Sequence, residues 1–251
     1  MTDTPHAISL SAVSKTFGHG RDAVNALDNI DLTVNDGEFV CLVGASGCGK
    51  STILNLVAGL DEPTSGSVST RVRPALMFQD PALFPWLTVR GNVELPMRLA
   101  GVATQERRRR SEALLETVHL GGFGSKRPHQ LSGGMRQRAA MARAFAQDAD
   151  ILLMDEPFGA LDAMTRDALH DELETLSRQR GLTVLFVTHN VREAARLGDR
   201  IIVLSPRPGR VKASFDVAIP HPRRIESPDV AALAIEVTES LRAEALVHAR
   251  S

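Results

Sequence analysis

Short unbroken apolar runs alternate along the chain with longer segments whose apolar residues recur every three to four positions. Ala7–Val13 and Ile30–Val34 alternate apolar with polar residues, which predicts half-exposed strands, and Asp36-Gly37 marks a turn after the second. Glu38–Val43, Ile151–Met154, Thr183–Val187 and Ile201–Leu204 are apolar almost throughout, the pattern of strands covered on both faces. Ala75–Phe78 reads as a further short strand. Helical periodicity runs through Ile53, Leu54, Leu56 and Val57 to a stop at Gly59. It returns as two helices from about Val89 to Leu120 parted by Gly101, then from Ser132 to about Ala146, and over Ala163–Arg180. Beyond Pro206, Pro208, Pro220, Pro222 and Pro228, the residues Val230, Leu233, Ile235, Val237 and Leu241 outline a loosely amphipathic last helix. This order predicts an α/β chain: N-terminal antiparallel strands, a mainly parallel sheet core, and a helical insertion over about residues 81–145.

Composition narrows the function classes. The chain has 251 residues, 43% of them hydrophobic, which is enough for a sizeable core. Lys and Arg number 29 against 30 Asp and Glu, so a protein that coats nucleic acid or another polyanion is disfavoured. The run Glu106–Ser111 holds four arginines and reads as a solvated helix face. No apolar run approaches the ~18 residues of a membrane-spanning helix, and the first ten residues lack a secretory signal's basic start and apolar stretch. Cys41 and Cys48 are too few for a disulfide framework or a zinc site, so a reducing compartment is expected. One Trp, nine Phe and no Tyr leave little material for a base-stacking platform.

Three motifs carry chemistry. Gly44-Ala45-Ser46-Gly47-Cys48-Gly49-Lys50-Ser51, with Thr52 following, fits the phosphate-binding pattern G-x-x-x-x-G-K-[ST] between a buried strand and a helix. Glycines let the backbone curl so that its N–H groups face phosphate oxygens, and the helix start adds positive partial charge. Lys50 suits the terminal phosphates and the Ser51 hydroxyl suits Mg²⁺; Cys48 reads as a small filler. Ile151–Met154 ends in Asp155-Glu156-Pro157, at the sheet edge where ligands of open α/β sheets bind. Asp155 suits a water-mediated Mg²⁺ contact and Glu156 a general base. Burial of the pair predicts that one carboxyl is raised, as suits a base. Leu131-Ser132-Gly133-Gly134-Met135 at a helix start is a second anion-binding geometry. Two such sites in one chain serve a single nucleotide only if two copies meet.

In order, and over nearly the whole chain, these motifs resemble the ATP-binding cassette (ABC) ATPases, which share the P-loop NTPase fold. The resemblance implies a RecA-like ATP-binding core with an N-terminal β subdomain (residues 1–80 and 146–220), a helical subdomain carrying the signature Ser132-Gly133-Gly134 (81–145), and a C-terminal tail helix (221–251). It implies that Phe17 stacks on adenine, that Gln79 opens the loop touching Mg²⁺ and the membrane subunit, that Asp162 in Ala160-Leu161-Asp162 couples the two sites, and that His189 contacts the γ-phosphate. Met135 stands where the family usually has Gln, and Phe17 where it commonly has Tyr.

ATP and Mg²⁺ are the implied ligands, with catalysis by Glu156, His189 and Lys50. The implied partners are a second cassette as homodimer, two membrane permease subunits and, indirectly, a periplasmic or lipid-anchored substrate-binding protein, with no nucleic acid. The implied place is the cytoplasmic side of the cell membrane, peripherally. Pro85-Trp86 and Ser205–Arg210 resemble the importers of nitrate, sulfonates, taurine and similar oxyanions. Ile219–Arg224 resembles the aliphatic sulfonate members among them. The alternatives are a nitrate or taurine importer ATPase, or a soluble ABC ATPase acting on nucleic acid or in translation.

Overall fold

A computed structural model describes residues 6–248; residues 1–5 and 249–251, the ends of the first and last segments named above, lie outside the described residues. In chain order the elements are β1 (His6–Phe17), β2 (Val24–Asn35), β3 (Phe39–Val43), α1 (Lys50–Val57), β4 (Ser65–Thr70), β5 (Ala75–Met77), α2 (Val89–Leu99), α3 (Thr104–Thr117), α4 (Gly133–Phe145), β6 (Ile151–Asp155), α5 (Ala163–Arg180), β7 (Thr183–Val187), α6 (Val191–Leu197), β8 (Arg200–Leu204), β9 (Val211–Asp216) and α7 (Pro228–His248).

Six strands form one sheet in the order β5-β6-β7-β3-β8-β9, parallel except for β9 at the edge. The unbroken apolar runs follow from a sheet buried on both faces. Along β3, Phe39, Cys41 and Val43 enter one core cluster while Val40 and Leu42 enter another; β7 divides in the same way into Val184 and Phe186 against Leu185 and Val187. The first cluster takes in apolar residues of α2 to α7. The second is closed by α1 and by a three-stranded antiparallel sheet of order β2-β1-β4.

The structure extends the sequence reading in three places. β1 and β2 each run 12 residues, well past their alternating cores, because backbone pairing continues where side chains turn polar, as in Thr16↔Asn25. The edge strands β4 and β9 carry mostly half-exposed or exposed residues and gave no apolar signal. α6 is seven residues long, under two full turns and too short for periodicity to register. In the last helix Val230 and Val237 are buried, but Ile235, read as part of the apolar stripe, is 61% exposed.

All five parallel strands deliver a loop to the same carboxyl edge: Gln79 follows β5, Glu156 follows β6, His189 follows β7, the Gly44–Gly49 loop follows β3, and Ser205–Arg210 follows β8.

Candidate functional site

The Gly44–Gly49 loop leads straight into α1. Gly49 caps that helix at φ 99°, and a Cβ there would lie 2.4 Å from Leu27 Cδ2, so both backbone and space require glycine. Ala45, Ser46 and Gly47 are exposed, while Cys48 is buried and free and packs beneath the loop. Lys50 is buried to 7% exposure. Its ammonium donates to the Gly44 and Ala45 carbonyls at 2.8 and 3.1 Å and lies 3.7 Å from Cys48 Sγ. A buried ammonium held by the carbonyls of its own loop fits a cradle built for anions. Thr52 is half-buried on the first turn of α1.

Asp155 ends β6 and is buried. Burial raises its carboxyl above the ordinary range and the Glu156 charge adds to this, while the Ser51 hydroxyl bonded to it and the Lys50 ammonium pull the other way. The carboxyl that burial raises is therefore the one assigned to the metal contact. The donor set fits Mg²⁺: hydroxyl, carboxylate and amide oxygens of Ser51, Asp155 and Gln79 are hard ligands. Among the described residues no group of three or more His, Cys, Asp or Glu is arranged to hold a metal unaided. That pattern suits an ion bound largely through phosphates and water.

Glu156 sits at φ 45°, in the left-handed region that a non-glycine residue enters at a cost of about 1–2 kcal/mol. Its N–H donates to the Val187 carbonyl at 2.9 Å, which fixes the turn against the end of β7. The turn presents Oε2 to two side chains: Gln79 Nε2 at 3.3 Å and His189 Nδ1 at 3.2 Å. Three residues from three strand ends thus meet on one carboxylate oxygen. A carboxylate held this way, next to an anion cradle, is equipped to take a proton from a water.

The other assigned residues stand apart from this cluster in their contacts. Ser132 is exposed and caps α4, its hydroxyl accepting from Met135 N–H at 3.2 Å. Gly133 opens α4 and is exposed. A Cβ on Gly134 would fall 3.1 Å from Leu161 Cδ2 and 3.2 Å from the Ala160 carbonyl, so the signature turn lies against the Ala160–Asp162 loop of its own chain. Met135 packs on the core edge. Asp162 caps α5 by accepting from Thr165 N–H at 3.0 Å, and these bonds hold its carboxyl below the usual range. Phe17 is 44% exposed at the end of β1, with the Lys15 ammonium 4.9 Å from its ring centre; an aromatic face left open to solvent is available for stacking. The arginines of α3 all have partners within the chain: Arg107 the Val102 carbonyl, Arg108 Glu112 and Arg109 Glu106 locally, and Arg110 the more distant Asp148 after α4.

One segment that the sequence marks only by its resemblance to oxyanion importers also supports the site. Ser205–Arg210 lies directly on the phosphate loop: Gly209 exchanges backbone bonds with Ala26 and Asp28, Arg210 pairs with Asp28, and Arg207 Nε reaches the Gly47 carbonyl at 3.4 Å. A Cβ on Gly209 would sit 2.1 Å from the Cys48 carbonyl oxygen. Nothing in the local pattern marks this glycine, because its neighbour is 161 positions away by number. Gly209→Ala is expected to cost about 1–3 kcal/mol of stability through overpacking and to weaken nucleotide binding by pushing on the cradle. Melting curves with and without ATP check this, and a pair of curves identical to wild type would refute the contact.

The fold and the cradle together define a P-loop nucleotide-binding protein. Residues 27–159 match the family model described as ABC transporter. The taurine import ATP-binding protein TauB of Burkholderia pseudomallei (strain 1710b) is 46% identical over 216 residues, covering 82% of this chain and 83% of that one. The aliphatic sulfonates import ATP-binding protein SsuB of Bacillus licheniformis is 40% identical over 230 residues, 88% of this chain and 89% of that one. A solved dimeric structure of the ATP-binding cassette MJ0796, in a post-hydrolysis state bound to ADP and Pi, superposes with a TM-score of 0.78 at 35% identity. It covers 85% of this chain and 100% of its own. The chain belongs to the ABC transporter family, as one of its ATP-binding cassettes.

Proposed function

We propose that this cassette is the ATP-hydrolysing subunit of an importer for a small oxyanion, with aliphatic sulfonates as the cargo class. The meeting of Gln79, Glu156 and His189 on one carboxylate oxygen beside the Lys50 cradle carries the hydrolysis reading. The import reading rests on the named functions of the sulfonate and taurine relatives.

In this reading the Gly44–Ser51 loop and Lys50 hold the phosphates of ATP, Phe17 stacks on the adenine, and Thr52 supports the cradle from α1. Glu156 Oε2 accepts the proton of the attacking water, while Gln79 and His189 fix the carboxylate's direction. Lys50 and His189 offset charge on the transferring phosphoryl group. Ser51, Asp155 and Gln79 would hold Mg²⁺, which supplies Lewis-acid neutralisation of phosphate charge. Ser132, Gly133 and Gly134 close the site on the ATP of a second copy, and Asp162 links the two sites, so ATP biases a two-state dimer. Residues 81–145 form the segment that meets this second copy and the membrane subunits.

No helix of the described residues is long and apolar enough to cross a membrane. A permease pair is the proposed partner, docked on the loop between β5 and α2. That loop is rigidly built: Arg143 donates to the Pro81 and Ala82 carbonyls at 2.8 Å, and the buried Asn92 amide is bonded to Phe84 and Thr88. It displays Trp86, 65% exposed, with its ring 5.3 Å from Phe84. An exposed Trp on a braced loop has the make-up of an interface anchor. Trp86→Ala is expected to weaken association with the permease at least tenfold, the loss typical of a hot-spot residue, and to leave ATP binding unchanged. A pull-down showing full assembly would count against docking here. Growth of a deletion strain on alkanesulfonate, taurine or nitrate as sole sulfur or nitrogen source tests the cargo. Failure on nitrate alone would overturn the sulfonate assignment.

A further inference from the structure

Behind the catalytic loops lies a buried ionisable cluster that the reading above does not use. Glu193 on α6 is 4% exposed and His170 on α5 is fully buried. The Glu193 carboxylate accepts from the Thr188 hydroxyl at 2.5 Å through Oε2 and meets His170 Nε2 at 2.9 Å through Oε1. Arg196 Nη1 lies 3.1 Å from His170 Nδ1. A guanidinium only donates, so Nδ1 accepts and Nε2 carries the proton offered to Glu193. Arg196 is itself held by Asp167 and Asp171 at 3.3 and 2.5 Å.

This cluster touches two loops of the site, the β7–α6 connection and the β6–α5 connection that runs from Glu156 to Asp162. Thr188 immediately precedes His189, and its Oγ1 also accepts from Asn190 N–H at 3.0 Å, so both neighbours of His189 are fixed. The His170 ring stands edge-on against Phe158 with centres 4.6 Å apart, and Phe158 lies two residues after Glu156. α5, which carries His170, starts at the Asp162 cap. Burying an ion pair rarely gains stability over apolar packing, whereas a buried hydrogen-bonded network, here bonded except at Arg196 Nε, restricts geometry.

We infer that the Glu193–His170 pair is the positioning device that sets His189 against Glu156 and ties that setting to the helix beginning at Asp162. The inference rests on the hydrolysis reading. Glu193→Gln keeps the side chain's size but replaces the oxygen facing the Thr188 hydroxyl or the His170 N–H with a second donor. Turnover by the purified chain is expected to fall about tenfold or more, as for a misplaced reacting group, with KM for ATP close to wild type and the melting temperature lowered only by what one mispaired buried donor costs. Thr188→Val, which removes only the hydroxyl, is expected to lower kcat in the same direction and decides the matter if the first variant folds poorly. His170→Leu is expected to match Glu193→Gln, while His170→Gln, whose amide N–H still reaches toward Glu193, restores at least half of kcat. Wild-type kcat in Glu193→Gln and Thr188→Val would overturn the inference. So would parallel losses in kcat, KM and melting temperature with no rescue by His170→Gln, the mark of a purely structural role. Absence of hydrolysis in the wild-type chain would instead remove the reading on which the inference stands.

Discussion

Glu156→Gln is expected to bind ATP as wild type does and to lose turnover by about 100-fold or more, the contribution of a positioned general base. The amide fills the same space beside Gln79 and His189, which approach Oε2 at 3.3 and 3.2 Å, but it cannot take the proton of the attacking water. The cradle is untouched, because the Lys50 ammonium donates to the Gly44 and Ala45 carbonyls and not to Glu156. With ATP bound and not consumed, two copies are expected to accumulate as a closed dimer, visible as an ATP-dependent shift in size-exclusion chromatography. The left-handed backbone of Glu156 is retained by glutamine at similar strain, so the melting temperature is not expected to move far. Steady hydrolysis within tenfold of wild type would remove Glu156 from the role of base.

Ser132→Arg is expected to abolish hydrolysis while leaving ATP binding to a single copy intact. Ser132 caps α4 from an exposed position, on an element separate from the strand–loop–helix that forms the cradle. An arginine there loses the cap, worth about 1 kcal/mol, and sets a long cation where a second copy's nucleotide would lie. Ser132→Ala separates the added cation from the lost hydroxyl: it removes the cap and the hydroxyl's place at the second copy's nucleotide but adds no bulk or charge, and is expected to lower turnover less than Ser132→Arg. Unchanged hydrolysis in Ser132→Arg, measured alongside equilibrium ATP binding, would refute a site shared between two copies.

Much of this was legible in the chain itself. The phosphate loop is contiguous, so its glycines, Lys50 and Ser51 could be placed by spacing alone, and the apolar runs of β3, β6, β7 and β8 announced a sheet buried on both faces. The edge strands β4 and β9 were not legible, because their residues are only half buried and their stability comes from backbone pairing with β1 and β8. The acid pair was found, but not which member burial would raise; that depends on Ser51, Lys50 and the depth of the pocket around Asp155. The contact of Gly209 with the phosphate loop and the Glu193–His170 pair left no local trace.

Sequence by itself determined the ingredients: a strand–loop–helix with the phosphate-loop spacing, two acids at a strand end, a second glycine-rich helix start and a balanced net charge. Covalent neighbours along the backbone are enough to specify such features. Only the tertiary structure decided that Gln79, Glu156 and His189 share one oxygen, that Gly209 lies on the cradle, and that Glu193 and His170 stand behind His189. Those contacts depend on the strand order β5-β6-β7-β3-β8, which brings together loops that are far apart in the chain. Hydrogen bonding and burial act through distance in space, and the parallel sheet sets that distance.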